Sequence, residues 1–188
     1  MMRKLFLLIS LFLLYAVEAD AWRVFDKVAV KSVMKRVADW QIANPNKGAE
    51  HDDLDWTHAA LYMGMVDWAE LTEKEDADDS YFQWLLRIGK RNHFQVGKWM
   101  YHADFIAVGQ PFIDLYSKYG NKKMIAPVMA RANWVVENPA EVALELDYGK
   151  LETLDRWSWC DALFMAPPVY AKLYALTKDK RYLDFLNK

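Results

Sequence analysis

Apolar residues recur at helical spacing along most of this chain, and hardly any stretch alternates with the two-residue period of a strand. The first apolar stripe ends before Asn44 and consists of Val30, Val33, Met34, Val37 and Trp40. Further helices are predicted over residues 56–71, 80–91, 104–119, 122–136 and 161–177, with a seventh helix starting near Asp179. Pro167 and Pro168 fall early in the sixth helix, where we expect them to bend it. The pattern predicts an all-α protein.

Three of the predicted helices begin with similar six-residue segments. These are Ala59–Gly64, Asp104–Gly109 and Asp161–Ala166, whose starts are 45 and 57 residues apart. Each is followed by a charged turn and a second helix, and a hairpin that recurs at such a period indicates a toroid or solenoid. We predict that the repeated helices form an inner layer and that their small sixth residues allow close approach. Their N-terminal ends should then meet at one mouth.

The first 21 residues have the features of a signal peptide. The basic segment Met1–Lys4 precedes the apolar run Leu5–Val17, which at 13 residues is too short to cross a bilayer. Ala19-Asp20-Ala21 provides small residues at the spacing that signal peptidase reads. We therefore assign residues 1–21 to a signal peptide and residues 22–188 to one domain. We expect a periplasmic or secreted product with no stable membrane insertion after cleavage; an uncleaved anchor helix is the alternative.

The net charge, the single cysteine and the spacing of possible metal ligands limit the partners, disulfides and metal sites that we expect. A net charge of −2 gives no electrostatic reason to expect nucleic acid. Cys160 is the only cysteine, so an internal disulfide is excluded, and we expect this residue to be buried rather than nucleophilic. His102 and Asp104 lack a further ligand at metal-like spacing, so we expect neither a metal nor a cofactor.

Aromatic residues make up 15% of the chain, and several tryptophans lie outside the predicted helices or at their starts. These are Trp56, Trp99, Trp157 and Trp159. Aromatic side chains present a flat apolar face, which suits the C–H face of a sugar ring. Trp157 and Trp159 end an aperiodic segment of about 20 residues from Pro139, and loops of this length are usually functional or disordered.

Asp104 and Asp161 are the candidate catalytic residues. Both begin a repeated helix, where an aspartate is commonly an N-cap and where the helix end favours its charged form. Desolvation by aromatic neighbours and a second carboxylate nearby favour the neutral form, as a general acid requires. A second acidic run, Asp52, Asp53 and Asp55, is expected to form a solvated turn and cap.

Two segments resemble known signatures. RWSWCDALFMAPP, from Arg156 to Pro168, and YHADFIAVGQ, from Tyr101 to Gln110, resemble motifs of glycoside hydrolase families 88 and 105. The resemblance covers about residues 30–188. It implies an (α/α)6 toroid of helical hairpins, of which this chain would hold about half as a truncated catalytic domain. It also implies removal of 4,5-unsaturated uronic acid from the non-reducing end of lyase-generated oligosaccharides.

The resemblance carries residue roles. It implies that Asp161 protonates the double bond and activates water while Asp104 assists, so that the enol ether is hydrated. The residues implied to bind the substrate are Trp157, Trp159, His102, Trp56, Trp99 and Met165. The chain departs from the pattern at Phe105, where a second acid is often found, and in length, so we expect the fragment alone to be inactive. An ordinary two-carboxylate glycosidase and a non-catalytic carbohydrate-binding fragment stay open as alternatives.

Overall fold

The computed structural model describes residues 26–45, 51–143 and 145–188. The predicted signal peptide, residues 1–21, lies outside these ranges. Helices are the regular secondary structure of the described residues, and no strand occurs among them. None of their helices is both long enough and apolar enough to span a bilayer. Two compact units, Met1–Lys47 and Gly48–Lys188, divide the chain.

The first unit contains helix α1, Lys27–Ala43. Its N-terminus is capped by Asp26, whose carboxylate accepts the backbone N–H of Ala29 at 3.1 Å. The helix ends where predicted, because Asn44 leaves helical geometry directly before Pro45. The apolar stripe thus forms the helix that its spacing indicates.

The second unit contains eight further helices among its described residues. They are α2 Trp56–Asp76, α3 Ser80–Arg91, α4 Ala103–Ala107, α5 Gly109–Tyr119, α6 Ala126–Glu137, α7 Ala162–Met165, α8 Pro167–Thr177 and α9 Lys180–Leu186. Short 3₁₀ helices occupy Lys122–Met124 and Leu151–Arg156.

Consecutive helices pair into hairpins, α2 with α3, α5 with α6 and α8 with α9. The repeated helices also pack side by side: α2 contacts α4 and α5, α4 contacts α7, and α5 contacts α8. These neighbours bury the largest side chains of the unit, including Tyr62, Phe112 and Tyr170. The predicted inner layer of repeated helices is therefore confirmed.

Two predicted helices are each interrupted once. Helix 104–119 breaks between α4 and α5, and helix 161–177 breaks between α7 and α8. Pro111 and Pro168 occupy the same place, seven residues after Asp104 and Asp161. A proline has no N–H for the carbonyl four residues earlier, so each ladder is weakened at this point. The bend expected at Pro167 and Pro168 is confirmed, whereas the break before Pro111 was not predicted.

The small residues of the repeat behave differently. A Cβ on Gly109 would lie 2.9 Å from Val128 Cγ1, so the glycine permits close contact between α5 and α6, and Ala166 is fully buried. The same prediction is wrong for Gly64, which is exposed and whose added Cβ would meet no described atom within 4 Å. The expectation for Cys160 is wrong as well, because it lies exposed in the turn before α7.

Candidate active site

A cavity of about 300 Å³ opens where the repeated helices begin. It is lined by Trp56, His102, Ala103, Asp104, Leu154, Trp157, Trp159, Asp161 and Ala162. Trp56 begins α2, Asp104 lies in the first turn of α4, and Asp161 directly precedes α7. The N-terminal ends of the inner helices thus meet at one mouth, as the repeat predicts.

The loop that carries His102 and Asp104 is held from two sides. Arg131 on α6 donates from its guanidinium to Gly97 O at 2.7 Å and to Trp99 O at 2.8 Å. The backbone N–H of Gly97 bonds Phe105 O at 2.7 Å, and a Cβ on Gly97 would lie 2.6 Å from Phe105 Cβ. Only glycine permits this approach, so the loop has a fixed position against α4.

Trp157 is held by its backbone and its ring. Its φ of 55° lies in the left-handed region, which is strained for a bulky residue. Its indole Nε1–H donates to Tyr101 O at 2.6 Å, and its ring packs against Tyr170 and Phe185 at centroid distances of 5.5 Å. Because the N–H is engaged, Trp157 can offer a ligand only the apolar part of its ring.

The aperiodic segment before Trp157 is ordered by side-chain bonds to backbone. Buried Thr153 accepts from Asp147 N at 3.1 Å and donates to Lys150 O at 2.8 Å. Arg156 donates to the carbonyls of Ala140 and Val142. This segment supplies Leu154, which lines the cavity although its sequence carries no chemical signal.

Neither candidate carboxylate is engaged as a helix cap. Asp161 stands at the N-cap position of α7 with helical dihedral angles, and its side chain accepts no capping bond from the described backbone. His102, not Asp104, is the N-cap of α4. By contrast, Asp55 caps α2 through Thr57 N at 3.3 Å, as its position predicts. The carboxyls of Asp104 and Asp161 are therefore available to a ligand.

Burial raises the pKa of Asp104 above its ordinary value. A positive charge on His102, whose Nδ1 lies 3.7 Å from the Asp104 carboxylate, lowers this pKa, while the charges of Asp161 and Asp55 raise it. The raising effects prevail because the cavity walls are largely apolar. His102 Nδ1 is itself buried and has no hydrogen-bond partner among the described residues. An incoming hydroxyl could supply one.

Two residues implied to bind substrate lie elsewhere. Trp99 is half-exposed and packs against Phe105 and His102, at centroid distances of 5.3 and 5.5 Å. Met165 is 4% exposed, because α7 turns it into the core. Neither is among the described residues that line the cavity. Trp56, His102, Trp157 and Trp159 are all brought there.

The cavity contains carboxyls and aromatic rings but little positive charge. None of the described residues lining it is Lys or Arg. No group of three His, Cys, Asp or Glu side chains able to hold a metal occurs within the described ranges. The chemistry on offer is therefore acid–base chemistry by Asp104 and Asp161 in an aromatic setting.

Helical hairpins whose inner helices begin at one cavity, with two carboxyls and three tryptophans in its lining, fit the α/α-toroid class of fold. The sequence model of Glycosyl Hydrolase Family 88 matches residues 20–188. The chain belongs to this family.

Two characterised relatives share the name unsaturated 3S-rhamnoglycuronyl hydrolase. The protein from Alteromonas sp. (strain LOR) is 27% identical over 85% of this chain and 43% of its own length. The protein from Formosa agariphila is 28% identical over 85% of this chain and 41% of its own length. The chain therefore spans less than half the length of these relatives.

Two solved structures share the fold. One, described as a polysaccharide lyase, aligns with a TM-score of 0.66 and 24% identity over 85% of this chain and 44% of its own. The other, a glycosyl hydrolase family 88 protein from Bacteroides vulgatus, aligns with a TM-score of 0.53 and 22% identity over 84% of this chain and 45% of its own. Both extend beyond the region that this chain covers.

Proposed function

We propose that this chain carries the acid–base residues of a hydrolase that removes 4,5-unsaturated uronic acid from the non-reducing end of oligosaccharides. The observation that carries the proposal is the meeting of Asp104 and Asp161 in one aromatic-walled cavity. Family membership and the activity for which the two curated relatives are named support the substrate class. The tryptophan rings suit the apolar face of a sugar.

In the proposed reaction, the carboxyl proton of Asp161 is added to C4 of the double bond. The positive charge that develops is shared by C5 and the ring oxygen. Water then adds to C5 and returns a proton to the Asp161 carboxylate. The bond between C5 and the ring oxygen breaks to give a ketone, and the hemiacetal left at C1 releases the remaining sugar. One water is consumed and Asp161 is regenerated.

Asp104 assists in this scheme. Burial and the neighbouring carboxylates raise its pKa, so the two acids do not readily carry negative charge together. Asp161 is the more exposed of the two and is open to water.

The decisive substitution is Asp161→Asn, which keeps the shape of the side chain and removes the transferable proton. Because the chain spans less than half of its relatives, hydrolysis is measured in a chimera in which this chain replaces the matching part of the Alteromonas protein. We expect the loss of the unsaturated chromophore to slow by roughly 10²–10⁴-fold or more.

The control is Asp67→Asn, on an exposed position of α2, which should leave the rate unchanged. Because the Asp161 side chain makes no capping bond with the described backbone, Asp161→Asn should leave the melting temperature near that of the unmodified chimera. Near-normal hydrolysis by the Asp161→Asn chimera would show that another group donates the proton.

A further inference from the structure

A buried glutamine joins α5, which follows the helix of Asp104, to α7, which follows Asp161. Gln110 lies in the first turn of α5 and is 4% exposed. Its Nε2 donates to Phe164 O at 2.8 Å and to Met165 O at 2.9 Å, both on α7. Asp104 precedes Gln110 by six residues, and Asp161 directly precedes α7. The amide therefore connects the inner segment after Asp104 with the inner segment after Asp161.

The carbonyl of Phe164 needs this donor. In an uninterrupted helix it would accept the N–H of residue 168, but that residue is Pro168 and has none. Gln110 supplies the missing N–H from the neighbouring helix. The helix break at Pro168 therefore leaves free the carbonyl that Gln110 bonds.

A second cross-link lies on the other side of the acids. The indole of Trp157, four residues before Asp161, donates to the carbonyl of Tyr101, three residues before Asp104. The acid pair is thus flanked by one hydrogen-bonded connection on each side. Trp157 also lines the cavity, whereas Gln110 is not among its described lining residues. Gln110 can therefore be changed without altering a residue that could touch substrate.

We propose that Gln110 is a positioning residue that sets the spacing of Asp104 and Asp161 through its bonds to Phe164 and Met165. The two hydrogen bonds of Gln110 are features of the structure, whereas the effect of Gln110 on turnover rests on the proposed function.

The charged groups around Asp104 make its titration a reporter of this spacing. Burial and the charges of Asp161 and Asp55 raise the pKa of Asp104, and a charge on His102 lowers it. If α4 and α7 separate, both the burial and the effect of Asp161 decrease. The pKa of Asp104 should then fall.

The test is a carboxyl ¹³C NMR titration of the 188-residue chain, with the Asp104 signal assigned by its loss in Asp104→Asn. Gln110→Met keeps the volume and removes the donor, and Asp161→Asn gives the pKa of Asp104 without its neighbour's charge. We expect Gln110→Met to lower the pKa of Asp104 toward the Asp161→Asn value. The matched control, Gln83→Met at an exposed position of α3, should leave it unchanged.

A rescue variant separates positioning from simple stabilisation. Gln110→Met with Pro168→Ala restores an N–H that can bond Phe164 within its own helix, so it should recover melting temperature without the cross-link. We expect the pKa of Asp104 to stay low in this double variant. A pKa equal to that of the wild type, in either the single or the double variant, overturns the proposal.

Turnover gives an independent reading in the chimera described above. A shift of catalytic groups by about 1 Å lowers the rate about 10²-fold, so Gln110→Met should reduce kcat by that order with little change in KM. If the unmodified chimera itself does not hydrolyse the unsaturated substrate, the proposed function fails, and the NMR titration still decides the role of Gln110. An unchanged kcat in an active chimera contradicts the positioning role.

Discussion

The aspartates at and near the starts of the inner helices differ in what their carboxylates bond. Asp55 caps α2, and Asp53 forms a two-point ion pair with Arg91, with both N–O distances at 2.6 Å. Asp104 is partly buried, and the Nδ1 atom of His102 lies 3.7 Å from its carboxylate. Asp161 is exposed and makes no described capping bond. The repeat singles out Asp104 and Asp161 in the sequence, but only the structure shows that neither acts as a cap.

Removing the charge of Asp104 and removing the charge of Asp53 should change the stability of the fold in opposite directions. Burial raises the pKa of Asp104, so its charged form disfavours folding at every pH above that pKa. Burial also raises the pKa of Asp53, but hydrogen bonds from Arg91 and Asn92 and the Arg91 charge outweigh it, so the pKa falls below 3.8. The Asp53 carboxylate therefore stabilises the fold at pH values above its ordinary pKa. This stabilisation is lost as the pH falls through its lowered pKa.

We expect Asp104→Asn to raise the melting temperature near pH 7, with the gain vanishing below about pH 4, where Asp104 is protonated in both states. Asp53→Asn should lower it near pH 7, with the loss shrinking as the pH falls through the lowered pKa of Asp53. Calorimetric melting of the wild type and both variants across this range measures the two effects. A lower melting temperature for Asp104→Asn near pH 7 would show that its charge is stabilised, contrary to the electrostatics described here.

At the scale of the helices, residues at the same position of the repeat do not all pack in the same way. Gly64 and Gly109 hold the same position in the repeat, yet only Gly109 lies against a neighbour, Val128. The close approach is required where α5 passes between α6 and α8. At Gly64 the corresponding face of α2 is open to solvent.

Alanine substitutions should therefore have opposite signs. Gly64→Ala adds a favourable helix former to an exposed helix interior and should stabilise by about 0.5–1 kcal/mol. Gly109→Ala places a methyl group 2.9 Å from Val128 Cγ1 and should destabilise by about 1–3 kcal/mol. Urea unfolding midpoints of the two variants give both values. Stabilisation by both substitutions would show that the contact at Gly109 relaxes freely.

Helical periodicity was sufficient to predict most helix boundaries and the inner layer, because apolar stripes must face neighbouring helices. It was insufficient for the break before Pro111 and for the 3₁₀ helix Leu151–Arg156. That segment has no apolar periodicity from which a helix could be predicted. Its backbone is held instead by single side chains such as Thr153 and Arg156. The burial of Met165 was not predictable, because a motif does not show which way a short helix turns its side chains.

At the scale of the molecule, the described lining of the cavity holds more acidic than basic side chains. Its described lining has two carboxyls and one histidine but no Lys or Arg, although the proposed substrate is itself a carboxylate. The chain covers 43% of the Alteromonas relative, so the proposed activity is tested in a chimera with that relative.

The most direct test of the central claim compares two disaccharides that differ only in the double bond of the terminal uronate. The chimera with the Alteromonas protein is assayed by the release of reducing sugar from each. Hydration requires the double bond, so we predict hydrolysis of the unsaturated disaccharide and none of the saturated one. Equal cleavage of both would contradict the account and identify an ordinary two-carboxylate glycosidase.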